Sequence, residues 1–323
     1  MVIFLQAILL VLGFAFLIKG AGWLISGAAS IASHFKVSKQ LIGLTIVAIG
    51  TGMPELAVSI SALAIGNNDM LLGNVVGSNI INILLLIGIA AIIKPIRIKK
   101  TTISKELPLL LLISTALVVL FLDLDIAGAS DNVFSRNDAI VCILFFAIFI
   151  YYIIQTTRKS RKAKKEVAEP KHKLAKSCLL LLVGFLGIVA GSQLVVNSAS
   201  FIASAIGVSE RVISLTIIAI GTSLPELVTT ITAARRGEND LLVGNIVGSN
   251  IFNICVVLGL PVAIFGTITP QNFELIDIIM LIGSSAILWI VTATSKKITR
   301  TEGALMLVIF TIYYSYIIYG ALM

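Results

Sequence analysis

The stretch Ala48-Ile49-Gly50-Thr51-Gly52-Met53-Pro54-Glu55 returns 171 positions later as Ala219-Ile220-Gly221-Thr222-Ser223-Leu224-Pro225-Glu226. Outward from these strings the match runs without a gap, residues 20–88 onto 191–259. In its core, 41–88 against 212–259, 27 of 48 positions are identical. Shared apolar composition does not produce such a run, so the chain holds an internal duplication, which has to be recognised before any single motif is interpreted.

The surroundings decide the class. Of 323 residues, 58% are hydrophobic and only 12% charged, and mean hydropathy is +1.07. Soluble domains carry about 25% charged residues. The chain therefore reads as an all-α integral membrane protein, which excludes a cytosolic enzyme or a single-anchor receptor. A span needs about 20 apolar residues. Ten candidates lie near 2–33, 39–65, 70–93, 107–122, 138–155, 177–205, 210–234, 240–265, 274–294 and 303–321. Each copy then holds five spans, and an odd number makes the second copy enter the membrane the other way up. The expected architecture is ten transmembrane helices in two inverted five-helix repeats: residues 1–155, a basic cytoplasmic linker 156–176, and residues 177–323.

Charge placement supports this independently. The net charge of +8 carries no nucleic-acid signal once its distribution is seen, because 21 of the 24 basic residues fall in the odd-numbered loops. Only Arg136 and Arg211 lie in the even ones, and Lys19 lies within the first span. The positive-inside rule places the odd loops in the cytoplasm and both termini on the extracytoplasmic side of a plasma (inner) membrane. Matching loops agree: Gly66-Asn67-Asn68-Asp69 has no basic residue before it, whereas its copy reads Arg235-Arg236-Gly237-Glu238-Asn239-Asp240. The run Arg158 to Lys176 reads as a cytoplasmic loop, with an anionic-lipid or regulatory patch as the other reading. Cys142, Cys178 and Cys255 show no pairing pattern and read as core residues. The N-terminus has no basic segment ahead of its apolar run, so the first span is expected to be retained.

Glu55 and Glu226 are the acidic residues that sit deep within hydrophobic stretches, at equivalent positions of the two copies. A carboxylate at the bilayer centre costs about 2.5–3.5 kcal/mol on insertion scales, so it needs compensation. A protonated structural acid is the plain reading; two equivalent acids with no basic partner point instead to a cation. Each Glu follows a proline, which removes a helix hydrogen bond and clashes with the carbonyl four residues back, here at Gly50 and Gly221. Broken backbone is tolerated in a membrane only where it is buried in protein or lines a cavity, and carbonyls, Thr hydroxyls and a carboxylate are hard-oxygen ligands for Na+ or Ca2+. The next spans carry Gly73-Asn74-Val75-Val76-Gly77-Ser78-Asn79-Ile80-Ile81-Asn82 and Gly244-Asn245-Ile246-Val247-Gly248-Ser249-Asn250-Ile251-Phe252-Asn253. Spacing of four sets Asn74, Ser78 and Asn82 on one face, as it does Asn245, Ser249 and Asn253. Helix packing explains Asn74, Asn79, Asn245 and Asn250 as well as ligation does. Asp69 and Asp240 read as helix N-caps.

These strings resemble those of the cation/calcium exchanger superfamily, whose repeats carry G-T-S-x-P-E on one helix and G-N-x-x-G-S-N on the next. The likeness covers both repeats and is nearest to the short prokaryotic sodium/calcium exchangers. It implies a secondary antiporter of Na+ and Ca2+ working by alternating access. By that resemblance Glu55 and Glu226 are shared by both ions; Thr51, Thr222 and Ser223, with the Ala48 and Ala219 carbonyls, give further oxygens; Ser78, Asn82, Ser249 and Asn253 complete the sites. The ions are substrates, so no cofactor is implied, and no protein partner is required beyond membrane lipid. Two departures stand out. Gly52 occupies a common serine position, which removes one hydroxyl and weakens one Na+ site or leaves it to water. Asn253 occupies a position that is Asp in potassium-dependent relatives, which argues against K+ co-transport. A proton-coupled calcium antiporter is the nearest alternative, since a buried Glu can carry protons. A channel suits the paired breaks less well, and a membrane enzyme finds no H-E-x-x-H, G-x-S-x-G or P-loop signature.

Overall fold

The computed structural model describes residues 2–122, 132–162, 170–207, 219–269 and 275–322, and it is helical but for one pair of two-residue strands. Eight described helices are long and apolar enough to cross a membrane: Ile3–His34, Asn68–Ile93, Thr102–Phe121, Arg136–Arg158, Leu174–Ala205, Asn239–Phe265, Ile276–Ser295 and Arg300–Tyr319. A ninth span is the bent pair Lys39–Thr51 and Met53–Ala64, with an angle of 42° between its halves. The remaining expected span, 210–234, is represented by Ala219–Thr222 and Leu224–Arg236; its first residues and Arg211 lie outside the described residues.

The proline kinks take the form of helix restarts. Pro54 and Pro225 occupy the first turn of Met53–Ala64 and Leu224–Arg236. Proline is at home there, since the first-turn N–H has no partner within the helix in any case. The joints are Gly52 (φ −83°, ψ 0°) and Ser223 (φ −87°, ψ 5°), both in the bridge region between helix and strand. The following helices also share a feature that spacing alone does not reveal. Asn68–Ile80 loosens into a π-helical turn at Ile81–Leu86, and Asn239–Phe252 into one at Asn253–Leu258. Such turns recur at functional sites.

Outside this centre, helices Val2–His34 and Leu174–Ala205 run antiparallel in close contact. A Cβ on Gly13 would lie 3.0 Å from the Gly191 carbonyl, one on Gly20 2.8 Å from that of Gly184, and one on Gly27 2.7 Å from that of Ser177. The sevenfold spacing keeps glycine on one seam, and the missing side chains let the backbones touch.

The loops sort into two sets. At one end Lys39 pairs with Glu238 at 2.6 Å and Lys99 with Asp240 at 2.6 Å. There Ile96–Arg97 forms an antiparallel ladder with Lys297–Ile298, and His34 Nε2 lies 2.7 Å from the His172 carbonyl. At the other end Phe134 bridges Ile268, and Arg136 donates to the Ile264 carbonyl at 3.2 Å. Among the described residues, the loop contacts join odd loops to odd loops, and the fourth loop to the eighth.

One local reading is corrected, and two side chains take places that sequence did not assign. The helix caps are Asn67, whose side chain accepts from Met70 N, and Glu238; Asp69 and Asp240 sit inside the first turns instead. Lys19 is exposed, one turn from Gly22, whose carbonyl accepts from Arg236 at the end of its own helix. It sits on the outer face of a long helix, where a lysine stem can run along apolar surface while its head reaches polar surroundings. Glu106, just ahead of the apolar run 107–122, is only 2% exposed and accepts a hydrogen bond from the Tyr152 hydroxyl. Asp277, 171 positions further on, accepts from Tyr313 at 2.7 Å.

Candidate cation site

Each Pro-Glu helix opens with its carboxylate in the first turn, so that Glu55 and Glu226 lie at the positive ends of two helix dipoles, a favourable place for negative charge. Both are 1% exposed. The described ion pairs, Lys39–Glu238 and Lys99–Asp240, lie at the loop end and involve neither of them. Oε2 of Glu55 and both carboxylate oxygens of Glu226 have no hydrogen-bond partner, and the two groups are close enough to repel one another. Two buried carboxylates this close cannot both stay charged without a proton or a cation to neutralise them.

The surrounding oxygens come from both copies, because each copy's G-T string faces the other copy's N-S stripe. Thr51, beside Glu226, directs Oγ1 to Asn245 Oδ1 at 3.4 Å and to the Ala48 carbonyl at 3.5 Å. In the reverse sense Ser223 Oγ stands 3.5 Å from Ser78 Oγ. The stripes themselves meet where Asn82 Nδ2 lies 3.5 Å from Asn250 Oδ1. All four contacts are at the long limit for hydrogen bonds. A cluster of buried side-chain oxygens has no partner at all: Asn79 Oδ1, Asn82 Oδ1, Ser249 Oγ, Asn253 Oδ1, Thr229 Oγ1 and Thr230 Oγ1. Native interiors leave few such atoms. Here they are hard oxygens, of the donor type that Ca2+ selects, on the helices that carry the two carboxylates and the Asn-Ser stripes.

Of the eleven residues singled out by sequence, Ala48, Thr51, Glu55, Ser78, Asn82, Ser223, Glu226, Ser249 and Asn253 are buried. The Ala48 carbonyl also accepts from Gly52 N at 3.0 Å. Thr222 is half-buried, and Ala219 opens the short helix that carries it. The other stripe residues divide. Asn245 and Asn250 touch site residues across the copies, while Asn79 donates to the Val75 carbonyl at 2.7 Å and Asn74 to Ser59 Oγ at 3.0 Å and the Glu55 carbonyl at 3.1 Å. Sequence reading missed Ser59 and Thr230. Each lies four residues after its Glu and at equivalent positions, a helical spacing that would have found them. It also missed Ser192, whose hydroxyl satisfies the Gly221 carbonyl opened by Pro225 at 2.9 Å.

Comparison with known proteins gives a consistent answer. The sequence profile of the sodium/calcium exchanger protein family matches residues 5–155 and 176–319. The chain is 30% identical over 335 residues to the sodium/calcium exchanger MaX1 of Methanosarcina acetivorans, covering 94% of this chain and 95% of that one. It is 34% identical over 313 residues to the inner membrane protein YrbG of Escherichia coli, covering 94% and 93%. Among solved structures, the sodium-calcium exchanger NCX_Mj soaked with Na+ and Sr2+ superposes with a TM-score of 0.83 at 32% identity, covering 97% of this chain and 98% of that one.

Proposed function

The chain belongs to the sodium/calcium exchanger protein family, and from that premise we propose that it exchanges Na+ for Ca2+ by alternating access at a midplane site built around Glu55 and Glu226. The observation that carries this reading is the pair of equivalent, buried, mutually repelling carboxylates without cationic partners, ringed by oxygens from both copies. One Ca2+ cancels both charges at once, whereas Na+ does so ion by ion, so the two cations compete for the same groups. Thr51, Thr222, Ser223, Ser78, Ser249, Asn82, Asn253 and the Ala48 and Ala219 carbonyls supply the remaining ligands.

The two copies, residues 1–155 and 177–323, form inverted five-span repeats joined by the basic linker 156–176, giving ten crossings with both termini extracytoplasmic. The alternation of loop contacts between the two ends supports that arrangement, and inverted repeats around a midplane site are the design of secondary transporters. Unneutralised, the carboxylate pair opposes any passage through a dry state; occupied, it permits it, because a ligand shifts a conformational equilibrium only by its differential affinity. The glycine-seamed pair Val2–His34 and Leu174–Ala205 is the sliding element. It reaches the site twice, through Ser192 on the Gly221 carbonyl and through Phe185, whose ring lies 3.5 Å from a Cβ on Gly50.

The test is uptake of radiolabelled Ca2+ into proteoliposomes loaded with Na+, against K+ loading and an imposed proton gradient. Outward Na+ alone is expected to drive uptake, and Glu55→Gln or Glu226→Gln to abolish it in folded protein. Uptake driven by protons and indifferent to Na+ would replace this reading with proton coupling. Full transport by both single variants would remove the carboxylates from the mechanism.

A further inference from the structure

Inside the site the two copies depart from each other at two positions that touch. Gly52 stands where the second copy has Ser223, and Phe252 stands where the first has Ile81. A Cβ on Gly52 would lie 2.8 Å from Cδ1 and 3.1 Å from Cε1 of Phe252, and 3.2 Å from the Ala48 carbonyl. The ring is buried and held edge-on by Phe146, with centroids 5.9 Å apart. It therefore leaves no room for a side chain at residue 52, and the hydroxyl that the repeat calls for is replaced by an aromatic edge.

The consequence falls on Ser249. At one end of the site Ser223 and Ser78 bring two hydroxyls to 3.5 Å of each other. The duplication places Ser249 where Ser78 stands and Gly52 where Ser223 stands, so the matching contact has no second hydroxyl. Ser249 Oγ is left fully buried with no hydrogen-bond partner. A buried hydroxyl forgoing all partners is costly, and nothing in its own helix satisfies it.

We propose that Gly52 and Phe252 act together as a specificity determinant, making the Ser249 end of the site a weaker subsite for Na+ than the Ser78 end. This rests on the exchange reading above. Na+, with a single charge, depends on the count of neutral oxygens around it, and the Ser249 end offers one fewer. Ca2+ is held chiefly by the two carboxylates, which both ends share, so its binding is little affected. The pair thus sets the ratio of Na+ to Ca2+ affinity without touching a charge.

The test compares wild type with Gly52→Ser/Phe252→Ile, which restores both the hydroxyl and the space for it, and with Gly52→Ala/Phe252→Ile, which restores the space alone. The serine double variant is expected to lower the Na+ concentration for half-maximal Ca2+ uptake on the order of tenfold, the worth of one oxygen on a charged group. The Ca2+ half-saturation should stay within about twofold, the charges being unchanged. The alanine double variant should show no gain in Na+ affinity. Equal Na+ affinities in the two double variants overturn the proposal. Ser78→Ala and Ser249→Ala, which leave the packing intact, give a second reading: Ser78→Ala is expected to weaken Na+ more, and equal losses overturn the inequality. Equilibrium binding of radiolabelled Na+ to the purified protein reads these differences without transport. A wild type that binds Na+ but does not exchange it for Ca2+ would refute the exchange reading, while the binding comparison still decides between equal and unequal subsites.

Discussion

Helices Asn68–Ile93 and Asn239–Phe265 carry nearly the same polar stripe, yet the protein treats them differently. The second has 94% of its apolar window buried, the first 72%. Gly244 and Gly248 press against backbone, their Cβ positions 2.4 Å from the Gln40 carbonyl and 2.6 Å from that of Leu44; Gly73 and Gly77 meet nothing within 4 Å among the described residues. The asparagines differ in the same sense. Asn74 Nδ2 is tied within its own copy to Ser59 and the Glu55 carbonyl, whereas Asn245 Nδ2 has no partner and its Oδ1 instead takes the Thr51 hydroxyl of the other copy. One string of residues thus holds two packing environments in one molecule. A sequence able to occupy both is what a two-sided transporter requires, and the opposite-facing state is expected to exchange the two roles.

The largest difference expected between the copies is at the glycines. Gly244→Ala forces a methyl group into backbone and should destabilise by about 1–3 kcal/mol, the usual cost of overpacking. Gly73→Ala should leave thermal stability in detergent unchanged or raised, since alanine favours the helix by about 1 kcal/mol. It should nevertheless slow exchange, because under the proposed alternation Gly73 would take the place of Gly244 in the opposite state. Normal transport by Gly73→Ala would break the comparison. Next comes the residue four positions after each Glu. Ser59→Ala removes a formed hydrogen bond and should cost about 1 kcal/mol. Thr230→Val removes a hydroxyl that has no partner, so its melting temperature should match wild type while Ca2+ uptake falls. Smallest are the loop ends. Asn67→Ala deletes a cap, worth about 1 kcal/mol, whereas Glu238→Gln breaks a partly exposed pair worth at most about 1 kcal/mol and should lose its effect in high salt.

Much of this was open to reading in the chain. Glu55 and Glu226, their prolines and the Asn and Ser stripes announce buried polar groups, and the structure buries both carboxylates and most of the stripe residues. Spacing could not say which stripe faces which string, because contacts such as Thr51 with Asn245 join residues far apart in sequence through packing. Nor could it show the π-helical turns at Ile81–Leu86 and Asn253–Leu258, which need no distinctive residue. Gly52 was legible as a missing hydroxyl, but its cause, the Phe252 ring, lies on another helix. Glu106 was missed because its place at the edge of an apolar run hid the tyrosine that turns to meet it.

The exchange of roles between the copies is tested most directly by one cysteine. In a background with Cys142, Cys178 and Cys255 replaced, Gly73→Cys in proteoliposomes is exposed to a membrane-impermeant maleimide, at rest and with Na+ and Ca2+ gradients driving turnover. The account predicts ready labelling at rest and slower labelling during turnover, as part of the population buries residue 73 in the manner of Gly244. Equal labelling in both conditions, with Ca2+ uptake proceeding, would contradict it.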